Sequence, residues 1–186
     1  MQRRQLACAA AALPFLAAAP MLWPKRAEAA TRAEIDAEVA AAVARLRTMS
    51  NAAPLFRTAK AVLIFPRIIS GGIGIGGQYG DGAMLRDGAT AGYYNIAGVS
   101  VGLLAGLQAS GLAMFFMTDQ ALRALMIADG WEIGTGPAVV VLDRGVQANI
   151  NSTTLTEPVY AVTFGQEGLL AAITLNGTKI TRINPT

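Results

Sequence analysis

The sequence predicts an α+β fold with a mainly antiparallel β sandwich or barrel-like core, an N-terminal amphipathic helix and one or two short helices. Short apolar runs separated by Gly, Asp, Asn and Pro recur through most of the chain. Thirteen of the 20 glycines lie between residues 71 and 111, as expected where strands approach too closely for side chains. Apolar residues at helical spacing are found mainly near residues 40 and 122.

The first 29 residues are interpreted as a targeting segment. Arg3 and Arg4 precede an apolar, alanine-rich run, and Ala27-Glu28-Ala29 is a small-x-small cleavage site. The paired arginines favour twin-arginine export, and an ordinary secretory signal is the alternative. We therefore expect residues 1–29 to be removed. Residues 30–186 should form one exported domain, located in the periplasm or peripheral to the cell envelope.

The composition after the targeting segment argues against several classes of protein. Residues 30–186 carry eleven basic and eleven acidic residues and no cysteine, and the whole chain has no histidine. A domain without net charge gives no reason to expect nucleic-acid binding. The usual general base, the thiol nucleophiles and the common zinc ligands are all missing. We predict a protein that is not an enzyme and that needs no metal or cofactor.

Residues 31–50 predict the amphipathic helix. Thr31 and Glu34 have the spacing of a capping box. The apolar stripe that follows at three- and four-residue steps consists of Ile35, Val39, Val43, Leu46 and Met49. We expect this stripe to pack on the core of the domain itself. A helix that lies on a membrane surface or binds a partner is the alternative.

The predicted strands form two groups on either side of a brief helix. The first group comprises residues 61–65, 74–79, 83–85, 91–95, 100–108 and 111–116. Thr118 should cap the helix, and Leu122, Leu125 and Met126 should face the core. The second group comprises residues 131–133, 137–142, 146–150, 159–164, 169–175 and 178–183. Asn176-Gly177 is the strongest hairpin signal of the chain.

The stretch from Gly88 to Thr118 has no charged residue. It is long enough for a membrane helix, and the glycines at 98, 102 and 106 have the small-residue spacing of packed membrane helices. Against a span, the stretch contains polar residues and residues that favour strand, such as Tyr93 and Val99. We interpret it as buried sheet.

A second alternative is a phosphate-binding loop, because Gly72, Gly74 and Gly77 satisfy the G-x-G-x-x-G spacing. That motif needs a helix that begins at the third glycine. The residues after Gly77 offer no apolar stripe at helical spacing, and they contain further glycines. The spacing therefore indicates a strand with bare backbone on one face.

Basic residues are concentrated early in the domain. Five cations and no acid lie in the segment from residue 45 to residue 67: Arg45, Arg47, Arg57, Lys60 and Arg67. In one interpretation this region meets anionic lipid head groups, at about 1 kcal/mol per well-placed Lys or Arg. In the other, the cations are solvated and complement the C-terminus of a helix.

Four ordered segments resemble the SYLF domain family: AKAVLIFPRI (59–68), GGIGIGGQYGDGAML (71–85), GYYNIAGVSVGLLAGLQ (92–108) and FFMTDQALRAL (115–125). With the later strands, the resemblance covers nearly all of residues 30–186. It implies a lipid-binding domain that prefers acidic phospholipids, notably phosphoinositides in eukaryotes, where members also bind actin. It implies no catalytic residues.

The resemblance implies lipid contact at Lys60 and Arg67, and we add Arg57 from charge alone. The chain reads Gly-Leu-Leu-Ala-Gly at 102–106, where many relatives read Gly-Leu-Gln-Ala-Gly. Because an exported protein meets no actin, we expect an anionic phospholipid or a membrane surface as the partner, and neither actin nor nucleic acid. The alternative function is an envelope scaffold that self-associates or binds a protein partner.

Overall fold

The computed structural model describes residues 30–127, 130–142, 155–167 and 177–186, apart from the side chains of residues 73–75, 100–107 and 166–167. In chain order the elements are α1 (Arg32–Arg47), a 3₁₀ turn (Leu55–Arg57), β1 (Ala61–Arg86), β2 (Ala89–Phe116), α2 (Asp119–Ile127), β3 (Trp131–Glu132), β4 (Val139–Leu142), β5 (Val159–Glu167) and β6 (Thr178–Ile183). The predicted targeting segment, the predicted strands 146–150 and 169–175, and Asn176 lie outside the described residues.

The strands form a mixed sheet that curls into a half-barrel. The strand order is β3-β6-β2-β5-β4, and β1 pairs with β2. The pairs β1–β2, β2–β5, β2–β6 and β3–β6 are antiparallel, whereas β4–β5 is parallel. The fold is therefore mostly β, and the barrel-like member of the two predicted arrangements describes it better.

Two long strands occupy the region where six short ones were predicted. β1 has 26 residues and β2 has 28, and they pair along one antiparallel ribbon. The glycine-rich segments between the predicted strands are extended as well. Register shifts, such as the one between Ile73 and Gly74, keep the two strands paired through these segments. The ribbon reverses at Asp87-Gly88, whose φ angles of 52° and 81° are both positive, as in the two-residue type I′ hairpin turn.

The ribbon is folded over on itself, because two glycines of β1 touch an earlier part of the same strand. A Cβ added at Gly82 would overlap the carbonyl oxygen of Ile64, and one added at Gly80 would lie 2.6 Å from the carbonyl oxygen of Arg67. Only a residue without a side chain allows this crossing. Beyond it the ribbon makes a bend, residues 69–79 of β1 with residues 97–109 of β2, which we call the apex.

The central uncharged stretch is sheet, as predicted. Residues 89–116 form β2, and the glycines at 72, 74 and 77 lie within the paired part of β1, where no helix begins. Throughout the described ranges, none of the helices combines the length and the apolar character that crossing a bilayer requires.

The inner apolar cluster lies between the two halves of the folded ribbon. Its larger members are Leu63, Phe65, Ile68, Met84, Tyr94, Ile96, Leu112, Met114, Phe116, Trp131 and Ile180. Leu122 and Leu125 of α2 close one end of it, and the Ala121 N–H donates to Thr118 Oγ1 at 3.2 Å. The prediction that Met126 faces inward is wrong. This side chain is 48% exposed, because it lies at the edge of the buried face of α2.

An outer apolar cluster joins α1 to the sheet. The buried face of the helix consists of Ile35, Val39, Ala42 and Leu46. These side chains pack in one cluster with Ile64, Phe115 and Val162 of the sheet. At the start of the helix the Glu34 N–H donates to Thr31 Oγ1, and the Thr31 N–H donates to the Glu34 carboxylate at 2.8 Å. The helix therefore covers the outside of the curled sheet.

Candidate functional site

The three residues predicted to contact lipid are exposed. Arg57 ends the 3₁₀ turn, Lys60 directly precedes β1, and Arg67 lies at the first register shift of β1. The Lys60 N–H donates to the carbonyl oxygen of Phe116 at 2.8 Å, which fixes the start of the strand. Lys60 and Arg67 line two different cavities, and Arg57 is not part of the lining of either one.

The first cavity, which we call the Lys60 cavity, has a volume of 220 Å³. Lys60 and Arg47 supply its positive charge, and the Asp87-Gly88 turn forms one wall. Its apolar lining consists of Val43, Phe56, Ala59, Ala61, Val62 and Leu85. The guanidinium of Arg47 lies 5.3 Å from the ring centroid of Phe56, within cation–π range. Arg47 is thereby held at the rim with its charge still exposed.

Phe56 is itself anchored to the sheet. Its ring meets that of Phe115 edge to face, with the centroids 4.9 Å apart and the planes at 90°. Phe115 is fully buried in the outer cluster. The position of the Arg47 guanidinium is therefore coupled, through two aromatic rings, to the packing of β2.

The second cavity, which we call the Arg67 cavity, has a volume of 290 Å³ and lies against the other side of α1. Arg45 and Arg67 supply two positive charges, and Glu38 supplies one negative charge. Its apolar lining consists of Ala41, Ala42, Pro66 and Phe164. A Cβ at Gly165, where φ is +62°, would lie 3.1 Å from Arg45 Nη1, so this guanidinium rests close to bare backbone.

A third cavity, of 230 Å³, contains Arg32 and Arg182 near the N-terminus of α1. Its polar groups are engaged in holding the fold. The Tyr93 hydroxyl donates to Asp36 at 2.9 Å, and Arg32 Nε donates to the carbonyl oxygen of Pro185 at 2.7 Å. The hydrogen bond to Asp36 raises the pKa of Tyr93 above its ordinary value.

Within the described part of the chain, none of the four cations of the first two cavities forms an ion pair. The ion pair found there joins Arg86 and Asp87, with Nε and Oδ2 3.8 Å apart. Arg45 and Arg47 lie in the last turn of α1, where the negative end of the helix dipole favours positive charge. Each cavity thus presents two cations and one carboxylate, Asp87 or Glu38, beside an apolar lining, and the excess of positive charge suits an amphiphile with an anionic head.

Sequence reasoning included Arg45 and Arg47 in the basic run but did not select them as contact residues. The signal that would have found them is helical spacing. They flank the buried Leu46, so they project on opposite sides of the helix face that packs on the sheet. Across the described ranges, no group of three or more His, Cys, Asp or Glu side chains could hold a metal ion.

The comparison with protein families gives one match. Residues 97–184 match the sequence model of the family described as Ysc84, Las17-binding protein actin regulator. The match begins within β2 and extends past the end of β6. No curated protein matches the chain.

Proposed function

Since this chain belongs to the Ysc84 (SYLF) family, we propose that it is a non-catalytic module that binds anionic phospholipids at the cell envelope. The family is linked to lipid binding and actin regulation. The observation that supports the lipid proposal best is a repeated arrangement: two cations and one carboxylate lie beside an apolar lining in the Lys60 cavity and again in the Arg67 cavity, which leaves each with an excess of positive charge.

The two parts of each cavity suit the two parts of a phospholipid. Arginine guanidinium groups form charge-assisted hydrogen bonds with phosphate oxygens, and lysine attracts them as a point charge. The apolar lining of the cavity accepts the glycerol and the first methylene groups of the acyl chains. Each exposed cation near an anionic surface contributes about 1 kcal/mol, and salt screens this contribution.

Sedimentation with vesicles of phosphatidylglycerol and phosphatidylcholine tests the proposal. One variant reverses the charges of the Lys60 cavity (Arg47→Glu with Lys60→Glu), and a second those of the Arg67 cavity (Arg45→Glu with Arg67→Glu). We expect each to reduce binding by about tenfold or more, because two attractions become two repulsions. Arg57→Glu alone should have a smaller effect.

The matched control is Arg123→Glu, which reverses an exposed arginine on α2, away from both cavities. It should bind vesicles as the unmodified chain does. Joint reversal at Arg57, Lys60 and Arg67 should abolish sedimentation. If sedimentation persists unchanged in that triple variant and in both pair variants, the head-group proposal is wrong.

One observation favours the alternative, an envelope scaffold. In the described sheet β1 pairs with β2 on one side, and its other edge has no assigned strand partner. The size and lipid content of the protein purified from its native envelope separate the two functions. A monomer with bound lipid supports the binding module, and a lipid-free oligomer supports the scaffold.

A further inference from the structure

The apex of the folded ribbon has an inverted distribution of side chains. Three of its polar side chains are buried, with exposures of 6%, 5% and 8%: Ser70, Gln78 and Gln108. Three of its apolar or aromatic side chains are exposed, at 47%, 53% and 65%: Ile69, Tyr79 and Val99. A sheet surface that faces water normally shows the opposite arrangement. Among the apex side chains that the structure describes, the exposed ones are therefore more apolar than is usual for a sheet that faces water.

The apex also carries no charge. Neither residues 69–79 nor residues 97–109 include Asp, Glu, Lys or Arg. Charge returns on both sides of the crossing, at Arg67 and at Asp81. At the far end of the bend Ile73 pairs with Ala105 and Gly74 pairs with Gly102, so the register leaves two leucines of β2, residues 103 and 104, unmatched.

The exposed side chains of the apex point to opposite sides of the folded ribbon. A Cβ at Gly80 would lie 3.0 Å from Ile68 Cγ1, so these two positions face each other across the crossing. Because neighbouring residues of a strand point to opposite faces, Ile69 and Tyr79 point away from each other. A protein partner with one flat surface would cover only one side. A fluid lipid interface surrounds both.

We propose that the apex enters the interfacial layer of an anionic bilayer, while Arg67 and Arg45 bind head groups at its base. Arg67 and Ile69 are two residues apart on one face of β1, about 7 Å at strand spacing. The cations are therefore placed for the head-group level when Ile69 reaches the acyl boundary. This inference rests on the proposed function and adds to it the surface that contacts the acyl region.

The backbone of the ribbon sets the depth of insertion. The two strands of the apex are paired with each other along its length, apart from the two unmatched leucines. The outer edge of β1 has no assigned strand partner in the described sheet. Unpaired backbone groups are costly in hydrocarbon but tolerated where water remains. The apex therefore stops at the boundary between head groups and acyl chains.

A fluorescent probe at the apex tests this placement. The chain has a single cysteine, Cys8, so the full-length Cys8→Ser background accepts one introduced cysteine. Val99→Cys labelled with a nitrobenzoxadiazole dye should brighten and shift to the blue on phosphatidylglycerol vesicles, and lipids spin-labelled near the top of the acyl chain should quench it. The control is Ile127→Cys, at an apolar position of α2 that is 80% exposed. Its emission should not change.

Substitution at the apex provides the second measurement. Ile69→Asp with Val99→Asp should lower partition into the same vesicles by about tenfold or more, because two apolar contacts with the interface are lost. Met126→Asp with Ile127→Asp, an apolar pair on α2 that is at least as exposed, should leave partition unchanged. Unchanged urea midpoints in both variants show that the fold is retained.

The outcomes separate this inference from the proposed function. If the unmodified chain and the apex variant bind vesicles equally and the probe at position 99 is silent, the apex inference is overturned and phospholipid binding stands. If the apex variant instead changes the oligomeric state in light scattering, with vesicle binding unaffected, the apex is a contact between copies of this chain. If the unmodified chain does not bind anionic vesicles, both proposals fail.

Discussion

At the scale of single residues, function and stability are coupled through aromatic side chains. Arg47 lies over Phe56, and Phe56 packs on the buried Phe115. The Arg47 guanidinium, which we propose binds head groups, is thus positioned by the same rings that fill the outer cluster. The sequence revealed the charge of Arg47 and the apolar character of the two rings. It did not reveal their contact, which depends on how the 3₁₀ turn packs against β2.

Tyr94 makes stability depend on alkaline pH. Burial raises the pKa of its phenol, and the nearby Arg182 guanidinium offsets part of the rise. In the unfolded chain the phenol ionises near its ordinary pKa of about 10. Above that pH the unfolded state loses a proton that the folded state keeps, so the free energy of unfolding falls as pH rises towards the folded pKa.

We therefore expect a lower urea midpoint at about pH 11 than at about pH 9, and Tyr94→Phe should reduce this pH dependence. Tyr79→Phe is the comparison: burial also raises the pKa of Tyr79, but this side chain is 53% exposed, so we expect its substitution to reduce the pH dependence less than Tyr94→Phe does. An equal pH dependence in the unmodified chain and in Tyr94→Phe would contradict the assignment to Tyr94.

At the scale of elements, the sequence located strand residues better than strand ends. The limits of β6 agree with the prediction, and β4 and β5 begin within two residues of it. The six short strands predicted between residues 61 and 116 are two long ones, because the glycine-rich segments form bends within a continuous ladder. Glycine serves both for a turn and for a bend, and only the pairing of the partner strand decides which one forms.

The crossing of the ribbon predicts unequal effects of alanine at two glycines of β1. Gly82→Ala should lower the free energy of unfolding by about 1 to 3 kcal/mol. The new methyl group would overlap the carbonyl oxygen of Ile64 and push apart the two parts of β1 that meet at the crossing. Gly77→Ala is the control, since its nearest neighbour would be the Gly98 carbonyl oxygen at 3.9 Å. Urea unfolding of the two variants measures the difference, and equal midpoints would rule out a tight crossing.

At the scale of the whole molecule, the positive charges are grouped in particular places although the domain has no net charge. Residues 30–186 have no net charge, yet the cations of the Lys60 and Arg67 cavities flank one helix. The sequence shows the basic segment from residue 45 to residue 67, and the family resemblance selected Lys60 and Arg67 within it as lipid contacts. It did not predict two separate cavities, because the packing of α1 between them follows from contacts with strands distant in sequence.

Binding to anionic vesicles should have a salt-sensitive part and a salt-resistant part. Raising the ionic strength from about 0.01 M to about 1 M shortens the Debye length from about 30 Å to about 3 Å and weakens the contribution of the cavities. The contribution of the apex is apolar and should persist. We expect a residual fraction of the unmodified chain to stay bound at high salt. The Ile69→Asp with Val99→Asp variant should show no such bound fraction. Complete release of the unmodified chain at high salt would contradict the apolar contribution.

The two-residue turn at Asp87-Gly88 bears on how the chain reaches this structure. The two longest strands, β1 and β2, are consecutive in the chain. Their pairing can start at the two-residue turn and extend away from it, because closing so small a loop costs little chain entropy. β5 and β6, which come from later in the chain, would then add to an edge that already exists. Refolding should therefore be nucleated at this hairpin, and damage to the turn should slow refolding more than it speeds unfolding.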